Sequence, residues 1–296
     1  MLKEGTSPAF AVTESQVKAA VKYTDYEFRL FQDYIHDYCG IFFDDAKAET
    51  LMSRLTFRMK LLGIDAFMEY YNYLRFNPRA AEEAADLIPH LTNNETYFFR
   101  ELSQLGFLVE RLKEKAAGFR QGGGKLRILS CGCSSGEEAY TLSILLDEAG
   151  VYDCCRGIEI IGLDIDRKVV DKARLGEYTG YSLRATDNPR IDKYFSHSGD
   201  KYVLKDSVKE RVRFRLGNLL DPETYSGFDG LDAVICRNVF IYFSDSAIRR
   251  IVESFHGCLS DTGYLLLGHS ESLTRITDIF YPKRHPGVIV YSKKDL

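Results

Sequence analysis

A strand that runs through a glycine turn into a helix is the feature that most constrains this fold. Residues 127–130 are strand-like, Gly132 and Gly136 lie in the small-residue turn that follows, and a helix is predicted from Glu138 to Ala149. Such a turn lets a ligand approach the backbone closely, and the helix start offers free N–H groups. The turn contains no lysine, which argues against a phosphate-binding GxxxxGK[ST] loop. Taken alone, the turn is equally consistent with a plain connection between two elements.

Short apolar runs alternate with helical segments from Leu126 to the end of the chain, which predicts an α/β domain with a largely parallel sheet. The predicted strands are residues 127–130, 159–164, 212–216, 231–237, 264–268 and 288–292. Residues 176–210 lie between the second and third strands and are too numerous for a simple loop. Their aromatic residues, placed among turn residues, predict a hairpin or short sheet.

Apolar residues recur at helical spacing from Asp25 to about Lys115, which predicts four or five short helices. Residues 1–24 show no firm period, so we expect a loose leader there. The predicted organisation is therefore a leader at 1–24, a helical domain at 25–118 and an α/β domain at 119–296. A small β-subdomain is expected to be inserted at about 177–211.

Composition excludes several classes of protein. A net charge of -4 argues against an electrostatically driven nucleic-acid binder. The seven cysteines form no CxxC spacing and follow no secretory leader, so reduced thiols and a cytoplasmic location are expected. The six histidines lack metal-ligand spacing, and the Cys131–Cys133 pair falls in the glycine turn, so no metal site is expected. Apolar runs fall far short of the roughly 20 residues of a membrane helix.

Polar residues follow three further predicted strands at the edge where α/β sheets bind ligands. Asp164 ends the second strand, where it could accept hydrogen bonds from ribose hydroxyls, although Asp164 or Asp166 could instead cap a helix. Asn218 follows the third strand and could pair with an adenine edge or simply form a turn. Arg237 and Asn238 follow the fourth, and burying them for packing alone would be costly.

Five ordered motifs resemble those of the CheR family of chemotaxis glutamate methyltransferases, over about residues 25–293. Residues 91–101 are similar to the family's TNxTxFFRE, 132–138 to its GCSxGEE, 164–166 to its DID, 236–243 to its CRNVxIYF and 268–271 to its GHSE. Departures are small, since Ser135 stands where Thr is common and Ala139 where Pro often follows. Neither departure removes a charge or hydrogen-bonding group thought essential for cofactor binding.

The resemblance implies a doubly wound, Rossmann-like methyltransferase domain, a helical N-terminal domain and a small inserted β-subdomain. It implies S-adenosylmethionine as cofactor and S-adenosylhomocysteine as product. The cofactor site that it implies consists of Asn94, Thr96, Arg100, Glu138, Asp164, Asn218, Leu219, Cys236 and Arg237. Asn238 is a further candidate from its position.

Arg100 and Tyr242 are the candidate catalytic residues. Arg100 could pair with the incoming glutamate or the methionyl carboxylate, and Tyr242, which the resemblance puts beside the transferred methyl, could hydrogen-bond the acceptor and exclude water. His269 and Glu271 are interpreted as structural hydrogen-bonding groups, because a lone histidine after a strand usually is one.

The resemblance further implies methyl transfer to glutamates on the cytoplasmic helices of chemoreceptors, by an enzyme that we expect to be a monomer without membrane insertion. Basic residues of the predicted helical domain could face those acidic helices or form an ordinary solvated surface: Lys18, Lys22, Arg29, Arg54, Arg58 and Lys60. Residues 195–214 are shorter than the hairpin that grips a receptor tether in some members, so tether-dependent docking is not expected. The alternatives are a catalytically weak scaffold in a signalling array and a methyltransferase with another acceptor, such as RNA or a small molecule.

Overall fold

The computed structural model describes residues 22–119, 124–155 and 157–293. The chain divides into two compact units, of which the first comprises Met1–Ile35 with Phe43–Leu91 and the second His36–Phe42 with Thr92–Leu296. All but the last three residues of the predicted leader, including Lys18, lie outside the described residues. Within the described ranges, no helix is both long and apolar enough to cross a membrane.

Four α-helices lie between residues 25 and 87, as the apolar periodicity predicts. They are α1 (Asp25–Cys39), α2 (Ala48–Leu62), α3 (Phe67–Phe76) and α4 (Ala80–Leu87). Gly63 ends α2 in a left-handed conformation, with φ of 69° and its N–H bonded to the carbonyls of Met59 and Lys60. The core of this unit is built from buried faces of these helices, including Phe31, Leu51 and Tyr70.

A buried ion pair inside the helical unit corrects the expected basic surface. Arg58 is 7% exposed and donates to both carboxylate oxygens of Glu83, at 3.0 Å and 2.6 Å. Tyr70 donates a third hydrogen bond to the same carboxylate, at 2.6 Å. Because this bidentate pairing satisfies the guanidinium within the core, Arg58 cannot belong to a solvent-facing basic patch. Lys22 and Lys60 are exposed.

The described residues of the second unit form ten strands. They are β1 (Lys125–Cys131), β2 (Gly157–Asp164), β3 (Glu177–Tyr178), β4 (Phe195–Ser198), β5 (Lys201–Leu204), β6 (Val212–Leu216), β7 (Leu231–Cys236), β8 (Leu259–Leu267), β9 (Phe280–His285) and β10 (Val288–Lys293). Seven of them form one sheet in the order β6-β2-β1-β7-β8-β10-β9. The first five are parallel, and β10 runs antiparallel to both of its neighbours, β8 and β9. All six predicted strands are confirmed.

Helices cover both faces of this sheet, which confirms the doubly wound architecture. The further α-helices in the described part of the second unit are α5 (Leu102–Ala117), α6 (Glu137–Glu148), α7 (Val151–Cys154), α8 (Arg167–Leu175), α9 (Asn188–Tyr194), α10 (Asp206–Lys209) and α11 (Asp245–Cys258), of which α9 lies against the inserted strand β4. One buried cluster joins Leu108 of α5 to Ile128 of β1, and another joins Phe255 of α11 to Leu129 of β1. Alternate residues of β1 thus face opposite layers.

Helix α5 belongs to the second unit, whereas the predicted domain boundary near residue 118 assigns it to the helical domain. Its apolar face includes Leu105, Leu108 and Leu112, and it packs against α6 and β10. Helical periodicity identifies the helix but does not reveal which layer its apolar face will cover.

The predicted inserted sheet is present as three antiparallel strands in the order β3-β5-β4. The ring of Phe98 packs edge-on against Tyr178 of β3, at 4.8 Å between centroids, and against Phe195 of β4, at 5.1 Å. These aromatic contacts anchor the TNxTxFFRE-like segment to the inserted sheet.

Candidate active site

The glycine turn after β1 lies at the switch point of the sheet, where the strand order reverses between β1 and β7. Gly132 has φ of 64°, and a Cβ atom added there would lie 2.4 Å from Val239 Cγ2. Gly136 has φ of 92° and precedes α6. A Cβ atom added at Gly136 would lie 2.9 Å from Phe214 Cζ, so both positions require glycine for close packing as well as for conformation. The turn is further fixed by a hydrogen bond from Cys133 N to Leu163 O, at 3.0 Å.

Asp164 ends β2 and ties its own turn to the glycine turn. Its Oδ2 accepts the Ser134 N–H at 2.8 Å, and its Oδ1 accepts the Asp166 N–H at 3.0 Å. Burial raises the pKa of Asp164 to about 6, against the opposing effect of these backbone donors. Asp166 is the N-cap of α8 and accepts the Lys168 N–H at 2.8 Å. Asp166 therefore takes the helix-capping role, and the Asp164 carboxylate keeps acceptor capacity for a ligand.

Glu138, in the first turn of α6, is held from two sides. Ser130 Oγ donates to Glu138 Oε1 at 2.7 Å, and Arg237 Nε donates to Glu138 Oε2 at 2.7 Å. The Arg237 side chain is only 2% exposed and also donates to the carbonyls of Arg100 and Glu101, at 3.0 Å and 3.2 Å. Arg237 therefore joins the end of β7 to the segment that precedes α5.

The segment from Asn93 to Arg100 brings three predicted cofactor residues to this edge. The Asn94 amide donates to Asp166 Oδ2 at 3.4 Å, and Ser134 Oγ donates to the Asn94 carbonyl, also at 3.4 Å. Thr96 is half-buried. Arg100 donates one bond to the Glu95 carbonyl at 2.9 Å, and its side chain is 27% exposed. The remaining guanidinium N–H groups of Arg100 make no hydrogen bond to described residues.

Tyr242 is fixed by the same segment. Its hydroxyl donates to the Asn93 carbonyl at 3.0 Å and accepts the Asn93 N–H at 3.4 Å. The side chain is half-buried. The two predicted catalytic side chains, Arg100 and Tyr242, are therefore both attached to residues 93–95.

Asn218 and Leu219 follow β6. The Asn218 amide donates to the Tyr38 carbonyl at 2.6 Å, while its Oδ1 accepts the Leu220 N–H at 3.0 Å. This is the turn role that the sequence left open, and it leaves one N–H and one lone pair for a ligand. Leu219 is 8% exposed and packs in the apolar cluster on the α11 side of the sheet.

Cys236 and Asn238 lie at the end of β7. The Cys236 thiol is fully buried in that same cluster, and burial raises its pKa well above the ordinary value. Any ligand contact by Cys236 would therefore use its main chain. The side-chain amide of Asn238 makes no hydrogen bond to the described chain, and the backbone of Asn238 is left-handed with φ of 61°.

Comparison with known proteins identifies the family. A model described as "CheR methyltransferase, SAM binding domain" matches residues 94–287, and one described as "CheR methyltransferase, all-alpha domain" matches residues 26–92. The chain belongs to the CheR methyltransferase family. It is accordingly an S-adenosylmethionine-dependent methyltransferase.

Relatives of this CheR protein match it over nearly their whole length. Chemotaxis protein methyltransferase 2 of Vibrio cholerae is 41% identical over 262 residues, which cover 88% of this chain and 90% of the relative. Chemotaxis protein methyltransferase 1 of Pseudomonas aeruginosa is 33% identical over 273 residues, covering 90% and 98%. A solved TehB-like SAM-dependent methyltransferase from Corynebacterium glutamicum is 16% identical and covers 74% of this chain and 100% of its own, but its TM-score of 0.35 is too low to add to the assignment.

The residues at this edge of the CheR protein fit S-adenosylmethionine by their chemistry. Asp164 offers acceptor oxygens suited to ribose hydroxyls, and the Gly132 turn admits close approach to the backbone. The Asp164 carboxylate, beside a turn without lysine, suits a ligand that carries a positive sulfonium, whereas the charge of Glu138 is already paired with Arg237. The free donors of Arg100 and Asn238 suit its methionyl carboxylate. These individual assignments remain predictions.

All four non-glycine residues with positive φ in the described part of the CheR chain lie at this edge. Phe99 and Glu101 flank Arg100, Ser134 lies in the glycine turn and Asn238 follows β7. Each such conformation costs about 1–3 kcal/mol unless its surroundings fix it. Strain concentrated in the segments that carry the candidate side chains is typical of a functional site.

Glu271 is a structural hydrogen-bonding group, as interpreted from the sequence, but the sequence does not identify its partners. Its carboxylate accepts backbone N–H groups of Gly268 and of the loop after β7. Its place directly after the β8 end, in the GHSE-like motif, was the only sequence signal that it belongs to this edge. His269, in contrast, is 55% exposed and lies 3.8 Å from Glu101 Oε1.

Proposed function

We propose that this CheR protein transfers the methyl group of S-adenosylmethionine to glutamate side chains of chemoreceptors, forming glutamyl methyl esters. The observation that carries the proposal is the attachment of Arg100 and Tyr242 to one short segment, residues 93–95. This arrangement presents a cationic donor and a phenol hydroxyl beside Asn94, which is itself hydrogen-bonded to Asp166 and to Ser134 of the glycine turn. A carboxylate acceptor fits that combination better than a neutral base or amine.

Glutamate suits a site that contains no assigned general base. Its carboxylate has an ordinary pKa of about 4.3 and is already ionised at neutral pH. When bound, S-adenosylmethionine supplies an electrophilic methyl group on a positive sulfur. The protein's contribution is then alignment, which is worth on the order of 7–11 kcal/mol when reacting atoms are held in line.

Arg100 is proposed to hold the acceptor carboxylate or the methionyl carboxylate. Its Nη1 donates to the Glu95 carbonyl and its Nε lies 4.0 Å from Glu101 Oε1, which fixes the guanidinium plane and leaves Nη2 available for a carboxylate. A carboxylate bound through a charged, planar donor is oriented as well as attracted. Tyr242 is proposed to turn its hydroxyl from Asn93 toward the acceptor oxygen, and its ring to exclude water.

The proposed partners are the cytoplasmic helices of chemoreceptors. The names of the relatives, chemotaxis protein methyltransferases, support a substrate in chemotaxis signalling. Exposed Lys22 and Lys60 of the helical unit offer positive charge to an acidic helix. Docking through a receptor tether peptide is not part of the proposal, because residues 195–214 are short.

Variants of Arg100 test the proposed role of this site. Arg100→Ala should lower kcat toward a receptor fragment on the order of 100-fold, because the acceptor carboxylate would lose its orientation toward the methyl group. Arg100→Lys should recover only part of the loss, because lysine lacks the planar fork. Arg111→Ala is the matched control, since Arg111 pairs with Glu114 on the exposed face of α5. Wild-type kcat in Arg100→Ala would remove the proposed role.

A further inference from the structure

The carboxylate of Glu271 binds the loop that joins β7 to α11 at several points. Its Oε1 accepts the N–H groups of Val239 at 2.9 Å and Ile241 at 3.3 Å. Its Oε2 accepts those of Asn238 at 2.9 Å and Gly268 at 2.6 Å. Four backbone donors on one carboxylate occupy all of its main lone-pair positions. Glu271 therefore has no capacity left to contact a ligand.

The loop needs such an acceptor because it leaves the sheet ladder. β7 ends at Cys236, and the following N–H groups have no strand partner. A partly buried N–H without an acceptor would cost about 1–3 kcal/mol, and bonds to a charged acceptor are the stronger kind. Burial raises the pKa of Glu271, and the same backbone donors oppose that rise by favouring the ionised form.

The surroundings leave the carboxylate and the loop little freedom. A Cβ atom added to Gly268 would lie 2.8 Å from Glu271 Oε2 and 2.9 Å from Asn238 N. On the other side of the loop, Val239 packs against Gly132 of the glycine turn after β1. A displacement of this loop would therefore also move the glycine turn and Tyr242, which follows Ile241.

We propose that Glu271 is a positioning residue for methyl transfer, which fixes the backbone of residues 238–241 so that Asn238 and Tyr242 hold their working geometry. It contacts neither cofactor nor acceptor and acts only through this loop. The inference rests on the proposed function for the identity of the acceptor. The predicted effect of Glu271 on cofactor binding does not depend on that identity.

Glu271→Gln is the test variant, and Asp232→Asn is its matched control. Asp232 is a 4% exposed carboxylate near the start of the same strand, β7, where it accepts the Arg127 N–H at 2.7 Å and pairs with Lys115. Each substitution replaces a carboxylate oxygen with an NH₂ group, which cannot accept a hydrogen bond from a backbone N–H. Both substitutions should lower the melting temperature, but only Glu271→Gln removes hydrogen bonds to the loop of residues 238–241.

The expected result separates geometry from stability. Glu271→Gln should lower kcat on the order of 100-fold, as expected for a shift of about 1 Å in reacting groups. It should weaken binding of S-adenosylhomocysteine about tenfold, the loss of one hydrogen bond. Asp232→Asn should change neither value by more than about twofold. In the Glu271→Gln background, a further Tyr242→Phe change should have little effect, because the hydroxyl is already misplaced.

A Glu271→Gln protein that melts at a lower temperature yet keeps wild-type kcat, cofactor affinity and the full Tyr242→Phe effect would overturn the proposal. If Glu271→Gln does not fold, Gly268→Ala replaces it, because the added methyl group would displace the same carboxylate. Unchanged kcat and cofactor affinity in Gly268→Ala would equally overturn the proposal. Failure of the wild-type enzyme to methylate receptor fragments would instead refute the proposed acceptor. Affinity for S-adenosylhomocysteine would then decide the role of Glu271.

Discussion

Cofactor affinity should fall in mild acid because of Asp164. Burial, the dominant cause, raises the pKa of this carboxyl to about 6. The ionised carboxylate has lone pairs for ligand hydroxyls beyond those used by Ser134 and Asp166, whereas protonation converts one oxygen into a donor. Binding should therefore be strong above pH 6 and be lost as the pH falls through that value.

The size of the effect follows from the ionised fraction. If only the ionised form binds, the apparent Kd is divided by that fraction, so it rises about twofold at pH 6 and about elevenfold at pH 5. The loss of binding is not caused by unfolding, because protonation of Asp164 does not destabilise the folded protein. The folded pKa of Asp164 lies above its unfolded value of about 3.9, so its stabilising contribution is fully present below about pH 4 and is lost as pH rises through 6.

Calorimetric titration with S-adenosylhomocysteine between pH 5 and pH 7.5 measures this dependence, and circular dichroism at each pH confirms that the protein stays folded. The control is Asp164→Asn, which should bind more weakly but with nearly constant affinity. It separates Asp164 from Glu137 and Glu271, whose pKa values burial also raises. Wild-type affinity that stays constant to pH 5, or an equally steep fall in the Asn variant, would refute the reasoning.

Three further predictions concern single side chains. Arg237→Leu should lower the free energy of unfolding in urea by about 3–5 kcal/mol, because it leaves Glu138 partly buried without its cation; a loss below about 1 kcal/mol would contradict the buried pairing. Arg58→Met should cost a similar amount through Glu83, and adding Glu83→Leu should restore most of it, whereas an unrecovered double variant would argue against the pair. Tyr242→Phe should lower kcat about tenfold with unchanged S-adenosylhomocysteine affinity, and unaltered kcat would remove the hydroxyl from the mechanism.

The parts of the fold that depend on local pattern could be predicted from the sequence. The turn at Gly132 and the strands on either side of it follow from apolar runs and glycine placement, which act over a few residues. Strand β9 was missed because Tyr281, Pro282 and Arg284 are exposed and interrupt the apolar pattern. The layer that α5 covers could not be predicted for a different reason, since helical periodicity does not specify the layer that a helix covers.

The parts of the site that depend on distant contacts could not be predicted. The partners of Glu271 include backbone N–H groups more than 30 residues away, and no property of its side chain indicates them. The burial of Arg58 likewise depends on Glu83, 25 residues further along the chain. The left-handed backbone at Phe99 and Glu101 is imposed by surrounding structure, because neither residue type favours it. Sequence motifs identified the residues of this edge, but tertiary contacts define their roles.

The central claim is that the acceptor is a glutamate carboxylate, and the stability of the transferred methyl group in base tests it most directly. The purified protein would be incubated with methyl-labelled S-adenosylmethionine and cytoplasmic fragments of chemoreceptors from the same cell. We predict label on the fragments that mild base releases as methanol, as a glutamyl ester requires. Base-stable label, or no label from a folded enzyme that binds S-adenosylhomocysteine, would contradict the account.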